Sequence, residues 1–406
     1  MPIGFLIVQV YADNKALPIA GANIEITGSE TNLTETTDGS GKTREIPLSA
    51  PSKDFSLDSQ SDVKPYSEYN IKVSKPGLKT SVINGVQIFD GETSIQNVYL
   101  TAIEGDSSIN YSEISPPVLW GKYPPKINEI EKQEDLGERV LPYVIIPEYI
   151  IVHDGIPTNS SATNYIVSFP DYIKNVASSE IYSTWPRETI KANVIAIISF
   201  TLNRLFTEWY TAKGYAFTIT SSTAYDQKYA HGRTIFKSIS EVVDEIFSQY
   251  IKKSNVIQPL LAQYNDGIKV NNKGWLSQWG SKSLGDQGYN ATQILKYYYT
   301  DIIDIYSAQN VQGLPLSFPG YNLVEGSCGQ HVQKMQNELN VINGSYPGIP
   351  KIIPADGIYD ASTKNSVSIF QKVFNLPVTG IVNFATWYKI SYIYTAVSKM
   401  LQGIYN

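Results

Sequence analysis

Polar and apolar residues alternate in several short runs near the start of the chain, the pattern of strands with one buried face. Gly4–Tyr11, Ala22–Thr27 and Tyr69–Val73 read this way, with Val86–Ile88 and Val98–Leu100 as shorter copies. Turn signals at Asp38-Gly39-Ser40-Gly41 and Lys75-Pro76-Gly77 punctuate them. Short strands and frequent turns predict an N-terminal β-sandwich over residues 1–101. The period then lengthens. Ile190, Val194, Ile197, Ile198, Leu202, Leu205 and Trp209 recur at three- and four-residue steps, which predicts a helix from Pro186 to about Trp209. Pro186 suits its first turn. Further helices are expected over Ser240–Phe247 and Ala291–Tyr299, and strands at Tyr149–Val152 and Tyr165–Val167. Residues 148–315 therefore read as a central mixed α/β (α+β) domain.

Between these regions, residues 102–147 lose periodicity. Ser115-Pro116-Pro117, Tyr123-Pro124-Pro125 and Pro142 break regular structure, and a charged run spans Glu129–Glu138. This is expected to be an accessible linker, with Arg139 and Val140 at its end as the candidate position for a proteolytic cut. Residues 316–406 hold an internal repeat. Asp356-Gly357-Ile358-Tyr359-Asp360 parallels Thr379-Gly380-Ile381-Val382-Asn383, and each copy leads into a helix. Asp360 and Asn383 suit a left-handed backbone or a helix cap. Stripes at Val332, Met335, Leu339 and at Val367, Phe370, Phe374 predict a small helical C-terminal domain.

Composition narrows the chemistry. The 406 residues carry a net charge of -6, and only 17% are charged, while tyrosines number 29. A mildly acidic chain has no general attraction for nucleic acid. Neutral polar groups and phenols suit a carbohydrate ligand. Cys328 is the one cysteine, which excludes an internal disulfide and a cysteine-rich zinc site. Cys328 is expected to be a buried small residue. His153, His231 and His331 lie far apart, so no metal site and no cofactor are expected. The apolar start, Met1–Val8, lacks a basic region and reads as a strand; no signal peptide is recognisable. No apolar run reaches the ~20 residues of a membrane span.

Three segments of the central domain carry a family resemblance. Trp185-Pro186-Arg187-Glu188-Thr189-Ile190-Lys191-Ala192 is the first, Tyr225-Asp226-Gln227-Lys228-Tyr229 the second, and Gly274-Trp275-Leu276-Ser277-Gln278-Trp279-Gly280 the third. In this order they resemble the stage II sporulation protein D family of peptidoglycan lytic transglycosylases. The C-terminal repeat, with Gly329-x-x-Val332-x-x-Met335-Gln336 and Thr386-Trp387, resembles the three-helix peptidoglycan-binding domain of wall hydrolases. That family usually has glycine where this chain has Asp360 and Asn383. The whole order is similar to that of clostridial spore cortex-lytic enzymes. The resemblance implies a zymogen in the spore, with cortex peptidoglycan as substrate and a subtilisin-like germination protease as activator. The N-terminal region would then be a pro-domain. Some related enzymes carry zinc-binding or paired cysteines near Gln263–Gly267; this stretch has none, so neither is expected here.

The resemblance assigns Glu188 as the catalytic residue. In lytic transglycosylases no water attacks, and one carboxyl group serves as acid and then base. Hydrolytic glycosidases usually need a second carboxylate, at ~5–5.5 or ~6.5–9.5 Å. Glu188 stands in a helix first turn, where the dipole favours a carboxylate, whereas a general acid needs burial or a nearby negative charge. An isolated glutamate there would equally serve to stabilise the helix. Asp226, Gln227, Tyr229, Ser277, Gln278 and Trp279 are expected to bind substrate, through hydrogen bonds or stacking on sugar faces. Lys191, one turn below Glu188, would pair with glycan carboxylates or with Glu188. Two other readings stay open: a non-catalytic peptidoglycan-binding scaffold, and a hydrolytic muramidase using Glu188 and Asp226.

Overall fold

The computed structural model describes residues 2–12, 15–28, 30–103, 109–127, 143–314 and 316–401. They fall into two compact units, one of Met1–Ala50, Tyr66–Ile114 and Leu314–Asn406, the other of Pro51–Pro65 and Ser115–Gly313. The candidate cut at Arg139 and Val140 lies outside the described residues.

In the first unit, β1 (Ile3–Tyr11) is followed by β2 (Asn23–Gly28), β3 (Thr31–Thr36) and β4 (Ile46–Ser49). Then come β5 (Ser67–Ser74), β6 (Thr80–Ile88), β7 (Thr93–Tyr99) and β8 (Ile109–Glu113). β1 pairs in parallel with β7 and antiparallel with β4. The other strands make a five-stranded sheet in the order β3-β2-β5-β6-β8. Leu6, Val8 and Val10 of β1 share one buried cluster with Ile24, Ile26, Ile71 and Val73 of the second sheet. The alternation seen in the sequence is thus the inner face of two packed sheets.

The same unit contains the C-terminal helices Gln330–Ser345, Ala361–Val373 and Phe384–Leu401. Their repeat is held by two glutamines. Gln336 Oε1 accepts Gly357 N–H at 2.8 Å, and its Nε2 donates to Ile358 O at 2.9 Å and Thr363 Oγ1 at 3.0 Å. Gln371 copies this on Gly380 N (2.9 Å), Ile381 O (2.9 Å) and Thr386 Oγ1 (3.1 Å). Asp360 and Asn383 cap the following helices by accepting Thr363 N–H and Thr386 N–H. The left-handed positions belong instead to Gly357 and Gly380, at φ 82° and 64°. Lys42, between β3 and β4, donates to Lys372 O and Val373 O, both at 3.2 Å. The sheets and these helices fall within the same compact unit. Cys328 is exposed, not buried, because it lies in the loop before the first of these helices.

The second unit is built around a nearly all-round buried helix. α1 (Asp54–Leu57) opens it, followed by α2 (Phe169–Glu180), α3 (Arg187–Phe206) and α4 (Lys237–Ile246). α5 (Gln278–Asp286) and α6 (Ala291–Tyr299) complete the set. β9 (Ile145–Ile146) pairs with Asn310–Val311, and β10 (Tyr149–His153) lies between β11 (Asn164–Ser168) and β12 (Ile219–Thr220). α3 buries Ile190, Val194, Ile195, Ile197, Ile198 and Leu202, and packs against α2, α4, α5 and α6.

The described part of the supposed linker is not a free tether. Val118 N–H bonds Ser179 O at 2.7 Å, Ile127 N–H bonds Ala224 O at 2.7 Å, and Arg233 Nη1 reaches Ser115 O at 3.0 Å. The Lys126 ammonium stands 4.4 Å from the Phe200 ring centre and 4.6 Å from that of Tyr264. The segment is thus anchored through backbone N–H groups at Val118 and Ile127, a carbonyl at Ser115 and the Lys126 side chain.

Candidate active site at the start of the long helix

Pro186 caps α3 in an extended conformation, and its fixed φ prepares the first turn. Glu188 follows in that turn, half-buried. Its Oε2 accepts the backbone N–H of Ala291 at 2.7 Å, the first residue of α6. The positive ends of two helices therefore converge on this carboxylate. Oε1 has no hydrogen-bond partner among the described residues. Glu188 is thus held by one oxygen with the other available, the arrangement a proton-transferring carboxylate needs.

The support beneath it is tight. Ser277 caps α5 by accepting Gly280 N–H at 2.9 Å. Thr189 Oγ1 donates to Ser281 O at 3.2 Å, and Asn193 Nδ2 bridges Thr189 O (2.9 Å) and Ser281 Oγ (2.8 Å). A Cβ on Gly285 would stand 2.0 Å from Thr189 Oγ1, so α5 crosses the start of α3 only because residue 285 has no side chain. Burial pushes the Tyr298 phenol, on α6, up to about 12.

An aromatic group adjoins this end. The Trp185 and Trp279 rings are 5.0 Å apart, and Tyr182 meets both edge-on at 5.9 and 6.1 Å. Trp185 is buried, whereas Trp279 is half-exposed, the state in which a ring can stack on a sugar. Gln278 is buried, and its Nε2 donates to Glu180 O at 3.3 Å and Glu180 Oε2 at 3.2 Å. Glu180 Oε1 accepts Lys228 N–H at 2.8 Å and Tyr264 O–H at 3.3 Å. Burial, and then the Glu180 charge, hold the Tyr264 phenol well above its ordinary value, so it remains a donor. Glu180 ties the Gln278 segment to α2. Sequence reasoning missed it, since no periodicity or motif marks it.

The other expected site residues lie deeper. Asp226 is fully buried: Oδ1 accepts Arg204 Nε at 2.7 Å, and Oδ2 accepts Tyr210 O–H at 2.6 Å, Thr220 N–H at 2.9 Å and Thr220 O–H at 2.7 Å. Gln227 is also fully buried; Oε1 accepts from Tyr172 at 3.1 Å and Thr201 at 2.9 Å, and Nε2 donates to Ile197 O at 3.1 Å. Both side chains brace α3 from within, and neither offers a free polar edge. Tyr229 is buried with its ring 5.8 Å from that of Tyr172, and its hydroxyl is 3.1 Å from His231 Nδ1. Lys191 faces Glu245 at 3.5 Å and not Glu188, and Arg187 pairs with the same Glu245. The structure therefore gathers Glu188, Ser277, Trp279 and Trp185 at one end of α3, and sets Asp226, Gln227 and Tyr229 apart as internal packing. No group of three or more potential metal ligands occurs among the described residues.

Comparison with known proteins adds two matches. The family model for stage II sporulation protein matches residues 159–252, which contain Glu188, and a putative peptidoglycan binding domain matches residues 328–390. The chain thus combines a segment similar to the stage II sporulation family with one similar to a peptidoglycan binding domain. No curated protein matches the chain. Among solved structures, the TIE protein of Bacillus anthracis aligns at 19% identity over 25% of this chain and 17% of its own length, with a TM-score of 0.19. A C-terminal interface mutant of the type II cohesin–X-dockerin complex from Acetivibrio cellulolyticus aligns at 18% identity over 26% and 64%, with a TM-score of 0.17. The chain therefore spans less than two thirds of either, and neither alignment carries a functional argument. No helix among the described residues is long and apolar enough to cross a membrane.

Proposed function

We propose that this chain is the zymogen of a spore cortex-lytic transglycosylase, with Glu188 as its general acid and base. The observation that supports the role is the half-buried carboxylate held through Oε2 by Ala291, with Oε1 unengaged among the described residues. The protonated acid gives its proton to the glycosidic oxygen between N-acetylmuramic acid and N-acetylglucosamine, and the C1–O bond breaks. The carboxylate then takes the proton of the muramic acid C6 hydroxyl as O6 bonds to C1. The product is a 1,6-anhydro end, and no water is consumed. Ser277 and Trp279 flank this position and would orient the glycan. The C-terminal helices would hold the enzyme to the wall. A subtilisin-like germination protease, cutting at Arg139–Val140, would remove the N-terminal region.

A second reading, the wall-binding scaffold, has its own support, since the bond to Ala291 alone gives Glu188 a structural purpose. Digestion of purified cortex with the processed protein separates the two. Glu188→Gln keeps an oxygen for Ala291 N–H, so the fold is preserved; the enzyme reading expects anhydro muropeptides from the wild type and none from the variant. Equal digestion by both, or by neither, would refute it. Reducing ends in place of anhydro ends would identify a hydrolase.

A further inference from the structure

Trp185 and Thr184 immediately precede the turn that carries Glu188, and both donate to one residue from far upstream. Trp185 Nε1–H bonds Ser56 O at 3.0 Å. Ser56 Oγ and Thr184 Oγ1 are 2.7 Å apart, and Ser56 Oγ gives its own hydrogen to Lys53 O at 2.6 Å. Thr184 is therefore the donor of that pair, because a hydroxyl has one hydrogen. Two adjacent donors thus meet the amide oxygen and hydroxyl oxygen of Ser56, beside the Trp185 and Trp279 rings.

The segment that brings Ser56 there is poorly built for structural duty. Pro51–Pro65 contains only the four-residue α1, whose cap makes no side-chain hydrogen bond. A helix that short has no stability of its own. Ser56 is fully buried, while Lys53, Asp54, Asp58 and Asp62 around it are exposed. Ser56 anchors the strap to the residues that precede α3.

We propose that Thr184, Trp185 and Trp279 form a subsite for an N-acetylated sugar, which Ser56 fills by offering the same two acceptors, an amide carbonyl and a hydroxyl. In the intact chain the strap would keep glycan out, and glycan would bind once the strap leaves. This rests on the glycan-cleaving reading above and extends it to the regulation of that site.

Two full-length variants test it with soluble glycan strands freed of stem peptides, titrated by tryptophan fluorescence. In the first, residues 53–58 are replaced by alternating glycine and serine. In the second, Ser56→Cys and Thr184→Cys on a Cys328→Ser background allow a disulfide to lock the strap. The first should bind glycan at least tenfold more tightly than the wild type. The second should bind at least tenfold more tightly reduced than oxidised, and this comparison decides alone if the first does not fold. Equal affinities in the comparison that decides would overturn the subsite. Cortex digestion keeps the two ideas apart. If the processed wild type digests cortex while strap changes leave binding unaltered, the inference fails and the cleavage reading stands. If strap changes raise binding but no form digests cortex, the reverse holds.

Discussion

The two ends of α3 carry carboxylates in opposite circumstances. Glu188, at the start, spends one oxygen on Ala291 N–H and keeps the other. Asp226, against the far end, sits with Arg204 at 0% and 1% side-chain exposure, and Arg204, Tyr210 and Thr220 occupy both its oxygens. Removing the Asp226 charge would leave Arg204 uncompensated, which is costly, and neither Asp226 oxygen is left to meet a ligand. Glu188, half-buried, keeps one oxygen unengaged among the described residues. The difference separates a carboxylate committed to the domain's interior from one with an oxygen left open, although both fall within the same matched segment.

That contrast can be broken experimentally. The largest effect is expected at Glu188, where Glu188→Gln should lower cleavage about 10²–10⁴-fold with an unchanged melting temperature. Asp226→Ala should act oppositely, costing about 3–5 kcal/mol in chemical denaturation by orphaning Arg204. A stable Asp226→Ala protein with lost activity would move Asp226 into the chemistry. Gly285→Ala comes next. The added methyl collides with Thr189 Oγ1, and about 1–3 kcal/mol of stability should be lost together with activity, since α5 braces the Glu188 turn. Glu245→Ala should matter least. It removes the half-exposed pairs with Arg187 and Lys191, worth less than about 1 kcal/mol, and should leave cleavage near wild type.

Much of this was legible beforehand, but unevenly. α3 and α6 follow from spacing and from Pro186, and the paired C-terminal turns follow from their repetition. α2 was not singled out although its Asp171, Lys174, Asn175 and Ser178 recur at helical spacing, and the structure buries most of that polar stripe. Its Lys174, Asn175 and Glu180 are buried with the rest, matched by Asp244, Ala230 and Lys228 from later in the chain. α5 escaped notice because Gly280 and Gly285 are poor helix formers. They are there for contact: a Cβ at Gly280 would stand 2.1 Å from the Tyr298 hydroxyl. In α5 the local signal is overridden by partners distant in sequence; in α2 such partners decide the burial of a polar stripe that the sequence does show.

The chain's own pattern therefore establishes β1, β2, β5 and the ends of β6 and β7, the long helix with Glu188 in its first turn, and the two-turn C-terminal repeat, whereas β3, β4 and β8 are not marked by it. Periodicity records which face of an element is buried. It does not record what lies against that face. Which Glu188 oxygen is free depends on α6 arriving from 103 residues away. Whether Asp226 faces substrate or Arg204 depends on folding around α3. That Trp185 is covered, and by Ser56, depends on a strap 129 residues upstream. Hydrogen-bond partners are chosen by proximity in three dimensions, so the chemical availability of these residues emerges only when the chain closes on itself.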